Sequence, residues 1–210
     1  MERNSKVYRV KGFTIVEMIV VVAIIGILLG VLAPSMMAYI QKSRIQAANA
    51  NAKMVYNAAQ TEVQKYINID RAKQASDASY ESFKLSSGNA VWLSYDGTAG
   101  TKRFMTAAIP GSGSSVTDAF STADNTTNVG AASLSVIDRV NRTVSDADQI
   151  NWAVCIQNYI VKGAVAADFG TSRYIGCYSA NKFKSMEANG STYAAAYLDV
   201  LSSAVAEYGT

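Results

Sequence analysis

A single apolar run near the N-terminus constrains this chain more than any other feature. Between residues 13 and 33 only Thr14 and Glu17 are polar. As an α-helix rising ~1.5 Å per residue, the run is about 31 Å long. That length matches a bilayer hydrocarbon core of roughly 30 Å. The sequence therefore predicts a membrane-spanning helix.

Glu17 is the only charged residue inside this run. A charge at the centre of a spanning helix costs about 2.5 to 3.5 kcal/mol on insertion scales, and less near an end of the helix. The first helical turn offers no evident partner for the carboxylate. We therefore expect its partner to come from another chain.

The net charge of +3 belongs to the first twelve residues, which carry four basic side chains and one acidic one. The rest of the chain is balanced, and residues 74–210 carry more acidic than basic side chains. A basic cluster before an apolar span keeps the N-terminus in the cytoplasm. Nucleic acid is not expected as a partner, because binding phosphates requires a basic surface.

The absence of histidine excludes Ser-His-Asp and Cys-His catalytic sites. No phosphate-binding loop, dinucleotide fingerprint or metal-ligand pattern is present, so we expect neither an enzyme nor a cofactor or metal site. Cys155 and Cys177 are the only cysteines. They form either a disulfide outside the cytoplasm or two buried thiols on separate strands, and the sequence leaves both alternatives open.

The segment around the start of the apolar run resembles the processing motif of type IV prepilins. Residues 11–17 read Lys-Gly-Phe-Thr-Ile-Val-Glu, after a short basic leader. The resemblance implies that a membrane aspartyl peptidase cleaves between Gly12 and Phe13 and methylates the new N-terminus at Phe13. It also implies that Glu17 pairs with the N-terminal amine of a neighbouring subunit during filament assembly.

Three further residues of the apolar run bear on helix packing. Gly26 and Gly30 lie four residues apart, a spacing that lets helices approach closely in lipid. Pro34 is expected to kink or break the helix near the membrane surface. By resemblance to the family, the stretch from Gly26 to Pro34 is expected to loosen and extend inside a filament.

The chain after the apolar run divides into an amphipathic helix and a globular head. Apolar residues recur every three to four positions as far as about residue 67. The predicted organisation is a leader at 1–12 that is cleaved, a transmembrane and assembly helix at 13–34, an amphipathic helix at 35–67 and a head at 68–210. The predicted fold class is α+β, with the long helix packed on an antiparallel β-meander head.

Apolar residues predict strands at 91–95, 152–156, 159–165 and 174–178, and within 152–156 they alternate between two faces. The last three strands form the predicted meander. Residues 111–130 are rich in Gly, Ser, Thr, Asn and Asp and are expected to form a long loop or a flexible edge. Residues 132–144 have the pattern of a short helix, and residues 191–208 predict a short C-terminal helix.

The resemblance implies a structural subunit of a type IV pilus-like extracellular filament. Its partners would be other copies of the chain, the membrane, the prepilin peptidase and methyltransferase, and the pilus assembly machinery. The subunit would sit in the cytoplasmic (inner) membrane before assembly and in the extracellular pilus afterwards. The alternative is a pseudopilin of a type II secretion system or a competence pilus, which shares the same N-terminal signature.

Overall fold

The computed structural model describes residues 12–85, 89–97, 99–109, 120–144, 150–167, 174–179, 182–187, 200–203 and 205. The chain divides into two compact units, Met1–Lys42 and Ser43–Thr210. The first unit contributes the beginning of a long helix, and the second contains the rest of that helix and an antiparallel sheet. The predicted α+β class is confirmed.

Helix α1 runs without interruption from Ile15 to Gln74, beyond the predicted end at residue 67. Within the second unit its apolar stripe is buried, as the spacing predicted. Two basic residues, Arg71 and Lys73, lie in the last turn, where positive charge favours the helix C-terminus. The fully buried residues of the stripe are Ala48, Ala52, Val55, Ala59 and Val63.

The sheet is larger than the predicted three-strand meander. That meander is present as β4, β5 and β6, and further strands extend it on both sides in the order β3-β2-β1-β4-β5-β6-β7, with every pair antiparallel. The strands are β1 (Asn89–Asp96), β2 (Thr101–Ala108), β3 (Ser121–Thr122), β4 (Trp152–Gln157), β5 (Ile160–Ala167), β6 (Tyr174–Ser179) and β7 (Lys182–Glu187).

The two faces of the sheet are distinguished by two glycines on neighbouring strands. A Cβ built on Gly176 of β6 would collide with the backbone of Ala48 in α1, so this residue faces the helix. A Cβ on Gly163 of β5 would instead meet the side chains of Leu201 and Val205, so this residue faces the C-terminal helical residues. The sheet therefore lies between α1 and the helical residues 200–203 and 205.

The turn between β4 and β5 is tied to α1. Asn158 and Tyr159 both have positive φ, at 51° and 62°, so the turn lies one residue later than the predicted Gln157-Asn158. The side-chain amide of Gln60 in α1 donates to the Tyr159 carbonyl oxygen at 3.2 Å. The Tyr159 hydroxyl donates to the buried carboxylate of Asp70 at 2.7 Å. These bonds hold a tyrosine in a backbone conformation that side chains disfavour.

Helix α2 spans Asn128–Thr143, so the predicted helix at 132–144 begins earlier. Its N-cap is Thr127, whose hydroxyl accepts a hydrogen bond from the Gly130 amide at 2.9 Å. A long loop was predicted before this helix, at 111–130. Residues 110–119 lie outside the described residues, and β3 and the start of α2 lie within 120–130. The prediction of a long loop over 111–130 is therefore wrong at 121–122 and at 128–130.

Glu62 joins α1 to α2. Its Oε1 accepts a hydrogen bond from the Ser135 hydroxyl at 3.0 Å, and its Oε2 is bound by Lys65. Burial alone would raise the pKa of this carboxyl, but the bonds from Lys65 and Ser135, with the positive charges of Lys65 and Arg139, hold the pKa below its ordinary value. The charged form of Glu62 therefore stabilises the packing of the two helices.

Candidate functional site

The segment before α1 contains the predicted processing bond. Gly12, Phe13 and Thr14 are non-helical, and α1 begins at Ile15. The bond between Gly12 and Phe13 therefore precedes the helix, in backbone that is not helical. The Phe13 side chain is 78% exposed.

Gly12 is not required by packing in this chain. A Cβ built on it would meet nothing within 4 Å among the described residues. Contacts among the described residues therefore do not require glycine at this position.

Thr14 and Glu17 form a capping box at the start of α1. The Thr14 hydroxyl accepts a hydrogen bond from the Glu17 amide at 3.3 Å. In return, the Glu17 Oε2 accepts bonds from the Thr14 amide and hydroxyl, each at 2.9 Å. This reciprocal pattern satisfies backbone donors that every helix N-terminus leaves without an intrahelical partner.

The capping box corrects one sequence-based expectation. We expected no partner for Glu17 within its own first turn, whereas Thr14 supplies two donors to its carboxylate. The signal was present in the sequence, because Thr-x-x-Glu before an apolar run is the spacing of a capping box. The negative charge also lies where the positive end of the helix dipole favours it.

The first unit exposes its apolar side chains almost without exception. Its helix contains an 18-residue window of mean hydropathy 3.0, none of which is buried, and it is the one helix among the described residues that is long and apolar enough to cross a membrane. The exposed set includes Ile15, Val22, Ile27, Val31 and Tyr39. A surface this apolar requires lipid or other protein chains around it.

The packing residues of this helix lie in open surroundings. A Cβ on Gly26 or on Gly30 would meet nothing within 4 Å, so contacts within the chain do not require glycine at either position. Of the two outcomes expected at Pro34, a break is wrong, because α1 continues through it. Spanning helices tolerate proline where neighbouring groups satisfy the freed carbonyl.

The structure contains no disulfide between Cys155 and Cys177; both are buried thiols. Cys155 lies on β4 and Cys177 on β6, with β5 paired between them. Two strand spacings of about 4.8 Å separate such positions by roughly 10 Å, beyond the ~7 Å Cα separation that a disulfide bridges. Of the two alternatives, the structure has the buried thiols, and burial raises the pKa of Cys155.

No group of three or more potential metal ligands from His, Cys, Asp and Glu occurs in the described part of the chain. The polar side chains near the start of α1 can donate and accept hydrogen bonds, and Glu17 supplies a charge.

Comparison with known protein families matches residues 8–33 to the prokaryotic N-terminal methylation motif. The match covers the end of the basic leader, the Gly12–Phe13 bond, the capping box and the apolar run. No curated protein and no solved structure matches the chain. At residues 8–33 the chain therefore carries the N-terminal methylation motif of prepilin-like proteins.

Proposed function

We propose that this chain is a structural subunit of a type IV pilus-like extracellular filament. The observation that carries the proposal is the coincidence of the methylation motif at residues 8–33 with a helix whose apolar side chains are exposed. A motif of this kind indicates a structural rather than an enzymatic protein. Before assembly, residues 13–34 hold the subunit in the cytoplasmic membrane with the N-terminus inside.

Processing removes residues 1–12. The prepilin peptidase cleaves between Gly12 and Phe13, and its methyltransferase activity methylates the new amine of Phe13. The exposed, non-helical backbone at this bond supports the assignment. The capping box supports it as well, because Thr14 and Glu17 keep the helix start defined after the leader is gone.

In the filament, the Glu17 carboxylate of one subunit pairs with the Phe13 amine of another. A carboxylate has about four acceptor positions, so it accepts this amine while keeping its bonds from Thr14. Leaving either charge alone in an apolar interior is costly, which makes the pair a device that sets the register between subunits. The helices gain little from burial on leaving lipid, so close packing at Gly26 and Gly30 sets the remaining geometry.

Two variants of Glu17 separate its charge from its capping role. Glu17→Gln keeps an acceptor for Thr14 but loses the charge, and Glu17→Ala loses both. We expect both proteins to be processed and to remain in the membrane fraction, with neither present in filaments sheared from the cell surface. Glu81→Gln, which removes a carboxylate from the head, should leave the amount of filament unchanged.

Normal filament from Glu17→Gln would contradict the pairing role. If the unaltered protein is processed but absent from the sheared fraction, and its loss impairs protein secretion or DNA uptake, the chain is a pseudopilin or a competence pilin and the filament proposal is wrong.

A further inference from the structure

A polar groove lies in the head between the last turns of α2 and the neighbouring ends of the strands. It has a volume of about 500 Å³ and is lined by Tyr95, Lys102, Asp138, Asn141 and Arg142. Two of these side chains are cationic and one is anionic. The described lining residues therefore combine hydrogen-bond donors and acceptors, with two positive charges and one negative.

The polar groups of the groove are held in place by their neighbours. The Lys102 ammonium contacts Asp138 Oδ1 at 2.5 Å, and the two side chains are 36% and 46% exposed. The Nε of Arg142 donates to the Asp138 carbonyl oxygen at 3.1 Å, one helical turn earlier. This bond fixes the guanidinium against α2 and leaves its outer edge to solvent.

Tyr95 lines the groove and packs against the buried ring of Trp152. The Tyr95 and Trp152 rings lie 5.8 Å apart at 33°, and Trp152 Nε1 donates to Asn141 Oδ1 at 3.1 Å. The Asn141 amide oxygen accepts the hydrogen bond from the indole, so the amide nitrogen of the same side chain points away from Trp152. The groove thus has one aromatic side chain, Tyr95, in its lining and an amide, Asn141, whose oxygen is held by the indole.

We propose that this groove binds an acidic glycan, through a sugar that carries one carboxylate. The guanidinium of Arg142 suits a carboxylate, because its paired N–H donors match the two oxygens. Asp138 accepts hydrogen bonds from sugar hydroxyls, and the Asn141 amide donates to them. A phosphate or sulfate suits the groove less well, because the Asp138 carboxylate repels a multiply charged anion.

The test uses the full chain in detergent micelles. The probe is a tetrasaccharide of alternating glucuronic acid and N-acetylglucosamine, and binding is measured by titration calorimetry. We expect binding of this probe and at least about tenfold weaker binding of the same tetrasaccharide with its carboxyls reduced to alcohols. Equal affinity for the two sugars, or no heat of binding at millimolar probe, would overturn the proposal.

A matched pair of variants localises the binding. Arg142→Gln should weaken binding of the acidic tetrasaccharide by about tenfold or more. Arg103→Gln removes the same charge from the next residue after Lys102 on β2, whose side chain lies on the other face of the sheet, and should leave binding unchanged. Equal loss in both variants, or displacement of the sugar by inorganic phosphate at equal concentration, would show a non-specific charge effect and refute the site.

Discussion

The close approach of β6 to α1 at Gly176 gives the sharpest stability prediction. A Cβ added there would lie 2.2 Å from the carbonyl carbon of Ala48, and 2.3 Å from both the Ala48 oxygen and the Asn49 nitrogen. Non-bonded carbon atoms pack at about 3.5 to 4.0 Å. The obstructing atoms belong to helical backbone, so no side-chain rotation relieves the contact. Gly176→Ala must therefore separate β6 from α1 by about 1 Å or more.

The loss in the free energy of unfolding follows from the disturbed packing between β6 and α1. Overpacking a well-packed core costs about 1 to 3 kcal/mol, and a backbone collision that cannot be relieved by rotation belongs at the upper end. We expect Gly176→Ala to lower the free energy of unfolding by about 3 kcal/mol. For a chain of this size each kcal/mol lowers Tm by about 2 to 4 °C, so the loss is about 6 to 12 °C.

Gly163→Ala is the matched control on the adjacent strand. Its Cβ would lie 3.1 Å from Val205 Cγ2 and 3.3 Å from Leu201 Cδ1, which are ends of side chains that can shift. We expect a cost of about 1 kcal/mol or less. Thermal unfolding of the full chain in detergent micelles, followed by tryptophan emission, measures both variants, because Trp92 and Trp152 are buried in the head. Equal Tm for the two variants would refute the packing argument.

Three further predictions concern side chains of the second unit. The pKa of Glu62 is lower in the folded chain than its ordinary value of 4.5, so the carboxylate stabilises the fold above pH 4.5 and this contribution is lost as pH falls through the folded pKa. The stability of Glu62→Gln should therefore depend less steeply on pH in acid, and an unchanged acid profile would contradict this. Burial and the hydrogen bond to Asp70 raise the pKa of Tyr159 above its ordinary 10.0, so the protonated hydroxyl stabilises the fold below pH 10 and this contribution is lost as pH rises towards the folded pKa. When Tm is measured at increasing alkaline pH, it should fall less for Tyr159→Phe than for the unaltered chain. Equal falls would refute a role for this hydroxyl in alkaline stability. Cys155 and Cys177 are buried and should react with iodoacetamide only after unfolding, as measured by intact mass; stoichiometric labelling of the folded chain would contradict their burial.

The sequence predicted those parts of the fold in which one physical signal dominates. The apolar run and the buried stripe of α1 were found because helical periodicity is strong there. The strands β4, β5 and β6 were found because apolar residues persist along them. By contrast, β2 reads Thr-Lys-Arg-Phe-Met-Thr-Ala-Ala and has no clear alternation, so its place beside β1 follows from pairing in the folded chain.

The site was predicted unevenly for a similar reason. The Gly12–Phe13 bond and Glu17 follow from a local motif. At Pro34 the sequence left a kink and a break open, and α1 continues through it. The groove beside α2 joins Tyr95, Lys102 and Arg142 from separate parts of the chain. No local spacing relates these residues, so only the strand register and the position of α2 bring them together.

The most direct test of the central claim is the intact mass and N-terminal sequence of the protein recovered from material sheared off the cell surface. The account predicts a chain that begins at Phe13 and carries one added methyl group on its N-terminal amine. A chain that still begins at Met1, one cleaved after the apolar run, or absence of the protein from the sheared fraction would contradict it.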